Sequence, residues 1–308
     1  MIKTIVSTAL PVDERLLIKK NVISNGTSKK RICIVTGTHG DELQGQYVCF
    51  LLAKTIKENL DSLDGTVEIY PALNPLGIDS ISRGVPNFDI DMNRIFPGSK
   101  DGSMVEHAAY TILHDLKGAD MVIDIHSSNL FLREIPQVRI NVETAPTLVP
   151  YAKLLNIDFV WVHEAATVLE ATLAHSLNSL DTPTLVVEMG VGTRINHGYC
   201  KRLTKGILNL MNNMGVWKEA QNSEEISDPV ISVGDEVTFI NADHSGIFLT
   251  EAHNNTIVEA GQEIGMIVNT LTGDIIQTIV SPIYGLLFTI RAYPVVYQGS
   301  LLARIHKL

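Results

Sequence analysis

A histidine and a glutamate three residues apart follow the first long apolar run of this chain. His39 and Glu42 come shortly after residues 31–35, and an amphipathic stretch at residues 43–60 follows them. This order is typical of a strand, a tight loop and a helix, and it predicts that both side chains lie at the carboxyl end of a strand, where open α/β sheets carry their active sites. An imidazole and a carboxylate at this spacing can bind one divalent cation, and a catalytic zinc ion needs a third protein ligand.

The third ligand is expected at a second strand end of the same type. Residues 121–125 form an apolar run that leads into His126. Each segment also has an ordinary interpretation: Asp41 and Glu42 suit the N-cap and first turn of a helix, and His126 suits a hydrogen-bonded structural histidine. Because both strand ends offer compatible ligands, the pattern favours a metal site.

A segment rich in Gly, Pro, Asn and Asp separates the two strand ends. Residues 74–98 show little apolar periodicity, and long irregular loops in compact domains are usually functional. The segment carries Arg83 and Arg94. The planar guanidinium group matches a carboxylate and stabilises an oxyanion without losing its proton. The alternative is a surface loop with solvated arginines.

A carboxylate stands at the end of a third apolar run. Residues 183–187 are short and β-branched, as in a buried parallel strand, and they lead into Glu188. A poorly solvated carboxylate at such a position has a raised pKa, which suits a general base. The alternative is a turn or helix N-terminus. Arg194 lies just beyond and is either a further substrate contact or a surface arginine.

These residues occur in the order of a known family. His39-x-x-Glu42, Asp91-x-Asn93-Arg94, Asp124-x-His126 and the strand-end Glu188 lie between about residues 30 and 215. The combination resembles the zinc carboxypeptidase superfamily, in the branch of succinylglutamate desuccinylase and aspartoacylase.

The resemblance implies a role for each matching residue. One zinc ion per chain would be bound by His39, Glu42 and His126, and Asp91 would orient His39. Arg83 would lie near the scissile carbonyl oxygen. The substrate carboxylate would be held by Asn93 and Arg94, and Glu188 would be the general base.

The periodicity predicts an α/β fold followed by a β-rich end. Strand and helix patterns alternate up to about residue 217, which indicates a mostly parallel sheet covered on both faces. The resemblance implies a three-layer sandwich with a mixed, mostly parallel sheet. We expect a catalytic domain at residues 1–217, a polar acidic linker at 218–229 and a small all-β domain at 230–308.

The predicted β domain resembles the biotinyl and lipoyl carrier fold, a small barrel-sandwich found in some members of the same branch. Carriers need a lysine at an exposed turn, but the candidate turn reads Thr272-Gly273-Asp274, and residues 219–306 contain no lysine. We therefore expect this domain to be a cap over the active-site entrance or an assembly surface, and not a carrier.

Composition limits the partners of the protein. The formal net charge of -10 over 308 residues disfavours nucleic acid and anionic membranes, which bind clustered Lys and Arg. No long apolar span is present, and the N-terminal residues 2–11 are too short for a signal peptide. Three widely spaced cysteines imply no disulfide framework and favour a reducing, cytoplasmic compartment. A homo-oligomer is compatible with this composition.

Together with these residues, the resemblance implies a zinc-dependent amidohydrolase that removes an acyl group from a small N-acylated amino acid. A metallocarboxypeptidase acting on short peptides would use the same centre and the same carboxylate clamp. A non-catalytic zinc protein with an assembly domain is a third reading, although a closed structural site has no use for a base and arginines.

Overall fold

The computed structural model describes residues 1–164, 170–219, 226–234 and 236–308. In chain order, its strands are β1 Ile2–Ala9, β2 Arg15–Asn25, β3 Arg31–Thr36, β4 Gly65–Tyr70, β5 Met121–His126, β6 Leu132–Asn141, β7 Phe159–His163, β8 Thr184–Gly190, β9 Val230–Val233, β10 Val237–Asn241, β11 Gly246–Leu249, β12 Thr256–Val258, β13 Glu263–Asn269, β14 Asp274–Val280, β15 Gly285–Arg291, β16 Val295–Val296 and β17 Leu301–Lys307. Its α-helices are α1 Gln44–Glu58, α2 Pro75–Ser80, α3 Met104–Leu116, α4 Ala145–Ala152, α5 Leu173–Asn178 and α6 His197–Asn213.

The first two thirds of the chain contain a mixed sheet with the strand order β2-β4-β3-β5-β8-β6-β7. Strands β4, β3, β5 and β8 run parallel, whereas β2 and β6 pair antiparallel with β4 and β8. Every residue of β5 is buried, as expected for a strand with helices on both faces. The predicted α/β fold with a mixed, mostly parallel sheet is confirmed.

Alternate residues of β3 show how the three layers pack. Ile32 and Ile34 belong to a core that includes side chains of α1 and α6. Cys33 and Val35 belong to a second core with side chains of α3 and α5. Because successive side chains of a strand point to opposite faces, one apolar run builds both cores and fixes the sheet between two helix layers.

Two elements differ from the sequence-based expectation. The N-terminal hairpin of β1 and β2 was not anticipated, because β2 alternates buried and exposed residues and a pair of lysines interrupts its apolar residues. The expectation of an irregular segment at residues 74–98 is wrong for α2. The side chain of Asn74 accepts a hydrogen bond from the Gly77 amide and Pro75 occupies the first turn, which are helix-start signals.

The C-terminal strands divide between two sheets. β15 pairs with β6, and β17 and β10 continue the main sheet from there, while β9 pairs with β7. A second sheet has the order β14-β13-β11-β16. Residues 220–225 of the predicted linker lie outside the described residues. Of the helices in the described ranges, none has the length and apolar composition to cross a bilayer.

A buried ionic cluster fixes the N-terminal hairpin to the rest of the fold. The Lys20 ammonium lies 3.0 Å from Glu68 Oε2 and 2.7 Å from Asp115 Oδ2, and Arg31 Nη1 lies 3.0 Å from the same Glu68 oxygen. The cluster joins β2 and β3 to β4 and to the last turn of α3. A buried carboxylate of this kind is tolerated only while its cations are present.

We expect Lys20→Met to lower the free energy of unfolding by about 3 kcal/mol, because it leaves buried carboxylates with one cation fewer. Lys54→Met is the matched control: its ammonium is exposed and lies 3.9 Å from Glu58. That change should cost less than about 0.5 kcal/mol. Urea unfolding at equilibrium measures both variants, and equal stability of the two would contradict the structural role of the Lys20 cluster.

Candidate metal centre and active site

Three potential metal ligands meet at the carboxyl ends of β3 and β5. His39 and Glu42 lie in the loop between β3 and α1, and His126 is the last residue of β5. Since β3 and β5 are parallel neighbours, their carboxyl ends share one edge of the sheet. One ligand atom from each side chain lies within 4.8 Å of the others, and all three residues are buried. Helix α1 has Leu43 as its N-cap and no side-chain cap, so Asp41 and Glu42 do not cap it.

The donor set fits a divalent cation because each imidazole lies between two carboxylates. His39 Nδ1 is 2.8 Å from Glu42 Oε1, and its Nε2 is 3.0 Å from Asp91 Oδ1. His126 Nδ1 is 3.0 Å from Glu42 Oε2, and its Nε2 is 3.1 Å from Asp124 Oδ2. A neutral imidazole has a single N–H, so one lone pair of each ring would face a carboxylate oxygen. Glu42, His39 and His126 would hold a cation, which would remove this conflict and leave the outer nitrogen of each ring for its outer carboxylate.

The pKa values of the cluster reflect the same arrangement. Burial lowers the pKa of His39 and of His126, but the carboxylates around each ring raise it more, so that both pKa values lie above the ordinary one. Burial raises the pKa of Glu42, and the two imidazoles lower it further than burial raises it. The pocket therefore favours positive charge, for which protons and a metal ion compete.

Asp91 links the His39-Glu42-His126 cluster to the Asn93-Arg94 segment. Besides contacting His39, its side chain accepts a hydrogen bond from the Asn93 amide and so caps the 3-10 turn Met92–Arg94. Asn93 Oδ1 in turn accepts from the Leu173 amide at 2.9 Å. Asp124 Oδ2 lies close to His126 Nε2 on the outer side of that ring, without the hydrogen-bond geometry of the Asp91–His39 contact. The sequence signal for Asp124 was its spacing of two on a strand, which puts both side chains on one face.

The structure places both loop arginines at the cavity. Arg83 Nη1 lies 3.1 Å from Glu42 Oε1, and its Nε lies 3.2 Å from Asp91 Oδ2. Arg94 Nη1 donates to the Asn93 carbonyl at 2.7 Å. Arg194 is exposed and donates to its neighbour's carbonyl, outside the cavity lining.

Glu188 lies on β8 directly beside His126 in the sheet register. Burial raises its pKa to about 7, although the nearby Arg139 guanidinium lowers it. This range suits a carboxylate that accepts and returns a proton near neutral pH. The sequence analysis missed Arg139, whose signal was an arginine inside the apolar run at residues 138–142.

One cavity of about 820 Å³ brings these groups together. Its lining includes the three potential ligands, both loop arginines, Asn93 and Glu188. Tyr284 and Tyr293 of the C-terminal part, each about half exposed, do not belong to this lining. The volume lies within the usual range of small-molecule sites.

The fold is a mixed α/β sheet with a buried His-Glu-His cluster at its carboxyl edge. This arrangement is that of a metal-dependent enzyme, in which a metal ion can be bound next to a carboxylate and arginines. Residues 28–214 match the family model of the succinylglutamate desuccinylase/aspartoacylase catalytic domain, and the chain belongs to this family. The resemblance found in the motifs is thereby confirmed.

Individual relatives agree with the family assignment. N-alpha-acetyl-L-2,4-diaminobutyric acid deacetylase from Halomonas elongata is 30% identical over 122 residues, which cover 39% of this chain and only 35% of that protein.

Solved structures support the fold. The ectoine utilization protein EutE from Ruegeria pomeroyi, in its product-bound form, matches with a TM-score of 0.83 at 20% identity and covers 98% of this chain and 93% of its own. A succinylglutamate desuccinylase/aspartoacylase from Rhodobacter sphaeroides matches with a TM-score of 0.84 at 20% identity, with 99% and 94% coverage.

We expect the purified protein to contain about one zinc ion per chain, and His39→Ala or His126→Ala to lower that occupancy strongly, because each removes one of three ligands. His163→Ala is the matched control, since His163 ends β7 as His126 ends β5 but lies outside the cluster. Elemental analysis of the three variants and the wild type measures the effect. Equal zinc in all four proteins would exclude the cluster as the metal site.

Proposed function

We propose that the protein is a zinc-dependent amidohydrolase that removes the acyl group from a small N-acylated amino acid. One observation carries this proposal: a single cavity is lined by the three potential ligands His39, Glu42 and His126 and also by Glu188, Arg83 and Arg94. A metal site, a base with a raised pKa and anion-binding groups in one cavity are the parts that amide hydrolysis needs.

Each side chain has a defined part in the proposed reaction. The metal, when bound, supplies a Lewis acid. Glu188 accepts a proton from the attacking water and returns it to the leaving amine. The Arg83 guanidinium stabilises the negative charge that develops on the amide oxygen. Asp91 orients the His39 ring and Asp124 orients the His126 ring, each through the Nε2 atom of the imidazole.

Asn93 and Arg94 hold the carboxylate of the amino-acid half of the substrate. Arg94 offers a planar fork at the cavity, and the Asp91 cap fixes the turn on which it stands. This clamp sets the amide over the metal centre, so it contributes to orientation as well as to affinity. The name of the Halomonas relative, a deacetylase of an acetylated amino acid, supports this substrate class.

The compartment and the C-terminal strands complete the proposal. Cys33, Cys49 and Cys200 are free and buried, which fits a protein of the cytoplasm. Strands β15 and β17 join the catalytic sheet, and we assign the C-terminal part the role of a cap beside the cavity.

Glu188→Gln should keep the zinc and the fold but lower kcat by about two to four orders of magnitude, the usual worth of a positioned acid or base. Glu143→Gln is the control, because Glu143 is an exposed carboxylate on the same cavity lining. It should stay within about threefold of the wild type, as a peripheral change. Steady-state kinetics with an N-acyl amino acid gives the values, and near-normal turnover in Glu188→Gln would remove this residue from the mechanism.

Arg94→Ala should raise KM and lower kcat, because a misplaced amide weakens the transition state as well as binding. Arg94→Lys should recover only part of the loss, since an ammonium is a point charge without the planar fork. Arg194→Ala, outside the cavity lining, should behave like the wild type. If Arg94→Ala had the kinetic constants of the wild type, the clamp would lie elsewhere.

The same assay separates a deacylase from a carboxypeptidase. The substrate panel contains N-acyl amino acids with short acyl groups and peptides of increasing length. We expect kcat/KM to be highest for an N-acyl amino acid. Faster release of C-terminal residues from pentapeptides or longer peptides would establish the carboxypeptidase alternative.

A further inference from the structure

Charged side chains cross the sheet from the catalytic part to the C-terminal strands. In the register, Glu134 of β6 stands opposite Thr289 of β15, and Thr289 stands opposite Arg304 of β17. Arg139 lies further along β6. The lining of the catalytic cavity includes Glu134, Arg139 and Arg304.

A bulge in β6 puts Glu134 on the cavity face. Gln137 is opposite Glu188 and Glu134 is opposite Gly190, so three steps on β6 match two steps on β8. Regular alternation would turn residues 134 and 137 to opposite faces, and the irregularity restores Glu134 to the side of Arg139. Bulges of this kind often re-aim a side chain next to an active site.

The Glu134 carboxylate binds both guanidinium groups. Arg139 Nη2 lies 2.9 and 2.8 Å from its two oxygens, and Arg304 Nη1 forms an ion pair with Oε1. The Glu134 side chain is 0% exposed, whereas those of Arg139 and Arg304 are 28% and 15% exposed. Both guanidinium groups also lie over the Trp161 ring, at 5.7 and 5.4 Å from its centroid.

The charges of Arg139, Arg304 and Glu134 sum to zero only when the Glu188 carboxylate is counted with them. Two arginines and Glu134 leave one positive charge in a largely buried place, where an unpaired charge is costly. The second nitrogen of the Arg139 fork, Nη1, lies 3.5 Å from Glu188 Oε1. Arg139 thus binds Glu134 through one nitrogen and faces Glu188 with the other.

We propose that Arg139 is a positioning residue that holds the Glu188 carboxylate toward the metal centre, and that Arg304 of the C-terminal strand fixes Arg139 through Glu134. The inference rests on the proposed function in taking Glu188 as the base. It gives the C-terminal part a direct share in the active site, because β17 supplies one of the two cations. Neither arginine is a catalytic residue in this account, since both act through other side chains.

The test uses the full chain with zinc bound and four variants: Arg139→Gln, Arg139→Lys, Arg304→Gln and the double variant Glu188→Gln/Arg139→Gln. The control is Arg202→Gln. It removes an ion pair with Asp158 that is as short as the pair between Arg139 and Glu134, but that lies outside the cavity lining. Zinc content and thermal midpoint show that each variant is loaded and folded. Arg139→Lys and Arg304→Gln keep a test available if Arg139→Gln does not fold.

Arg139→Gln should lower kcat about 10- to 100-fold with KM within about threefold, because the base is misplaced while substrate binding is kept. Arg304→Gln should give a smaller loss in kcat than Arg139→Gln. Arg139→Lys should be faster than Arg139→Gln but slower than the wild type. The zinc content of all these variants should not change. The double variant should be no slower than Glu188→Gln alone, since a residue that acts only through Glu188 has no effect once that carboxylate is gone.

Two kinetic results would overturn the inference. A raised KM with unchanged kcat in Arg139→Gln would make Arg139 a substrate contact, and a further loss of kcat in the double variant would show an action independent of Glu188. Crystal structures of Arg139→Gln and Arg304→Gln give a readout that needs no substrate: we expect the Glu188 carboxylate to move, as it should not in Arg202→Gln. A wild type inactive on the whole panel would refute the proposed function, whereas an unmoved Glu188 would refute this inference.

Discussion

The placement of two imidazoles between carboxylates is the constraint on which the rest of this site depends. Glu42 faces Nδ1 of both His39 and His126, and a separate carboxylate faces each Nε2. Such a cluster is buried at a high electrostatic cost unless a cation joins the inner atoms. The surrounding structure supplies what the cluster needs: three parallel strands that end at one edge, a loop that returns Asp91 to His39, and Arg83 on the outer side of Glu42.

Packing on both faces of the sheet sets the position of this edge. β3 and β5 are buried on both faces, so their ends are set by two cores and not by the loops that follow them. His39, Glu42 and His126 lie at these strand ends or within a few residues of them, so the two cores also determine where they lie. The proposed metal ligands therefore lie at an edge of the sheet, whereas Arg83, Asn93 and Arg94 lie on the segment between α2 and α3.

The sequence predicted the residues whose neighbours along the chain already determine their position. His39, Glu42, His126 and Glu188 each follow a continuous apolar run, which is the strongest local signal of a buried strand, and the Asp91-x-Asn93-Arg94 motif carried the family resemblance. The N-terminal hairpin was missed because many residues of its strands are exposed and no long apolar run marks them. Helix α2 was missed because its capping signal lies in a segment that reads as a loop by composition.

Contacts between distant strands could not be predicted from local patterns. Glu134 and Arg304 are 170 positions apart, and they meet only because β15 joins β6 and a bulge turns Glu134 to the cavity. Composition indicated a β-rich C-terminal part, but it gave no sign that some of its strands would extend the catalytic sheet. Glu134 and Arg304 meet because of the register in which their strands pair, and no short segment of the sequence determines that register.

The central proposal is that Glu42 and the Nδ1 atoms of His39 and His126 would hold a zinc ion. Anomalous diffraction at the zinc absorption edge, from crystals of the full chain, tests it most directly. The account predicts one peak about 2.0–2.2 Å from His39 Nδ1, His126 Nδ1 and a Glu42 oxygen, the usual zinc–ligand distances. A zinc peak bound elsewhere in the chain, or crystals of zinc-loaded protein with no peak at this cluster, would contradict it.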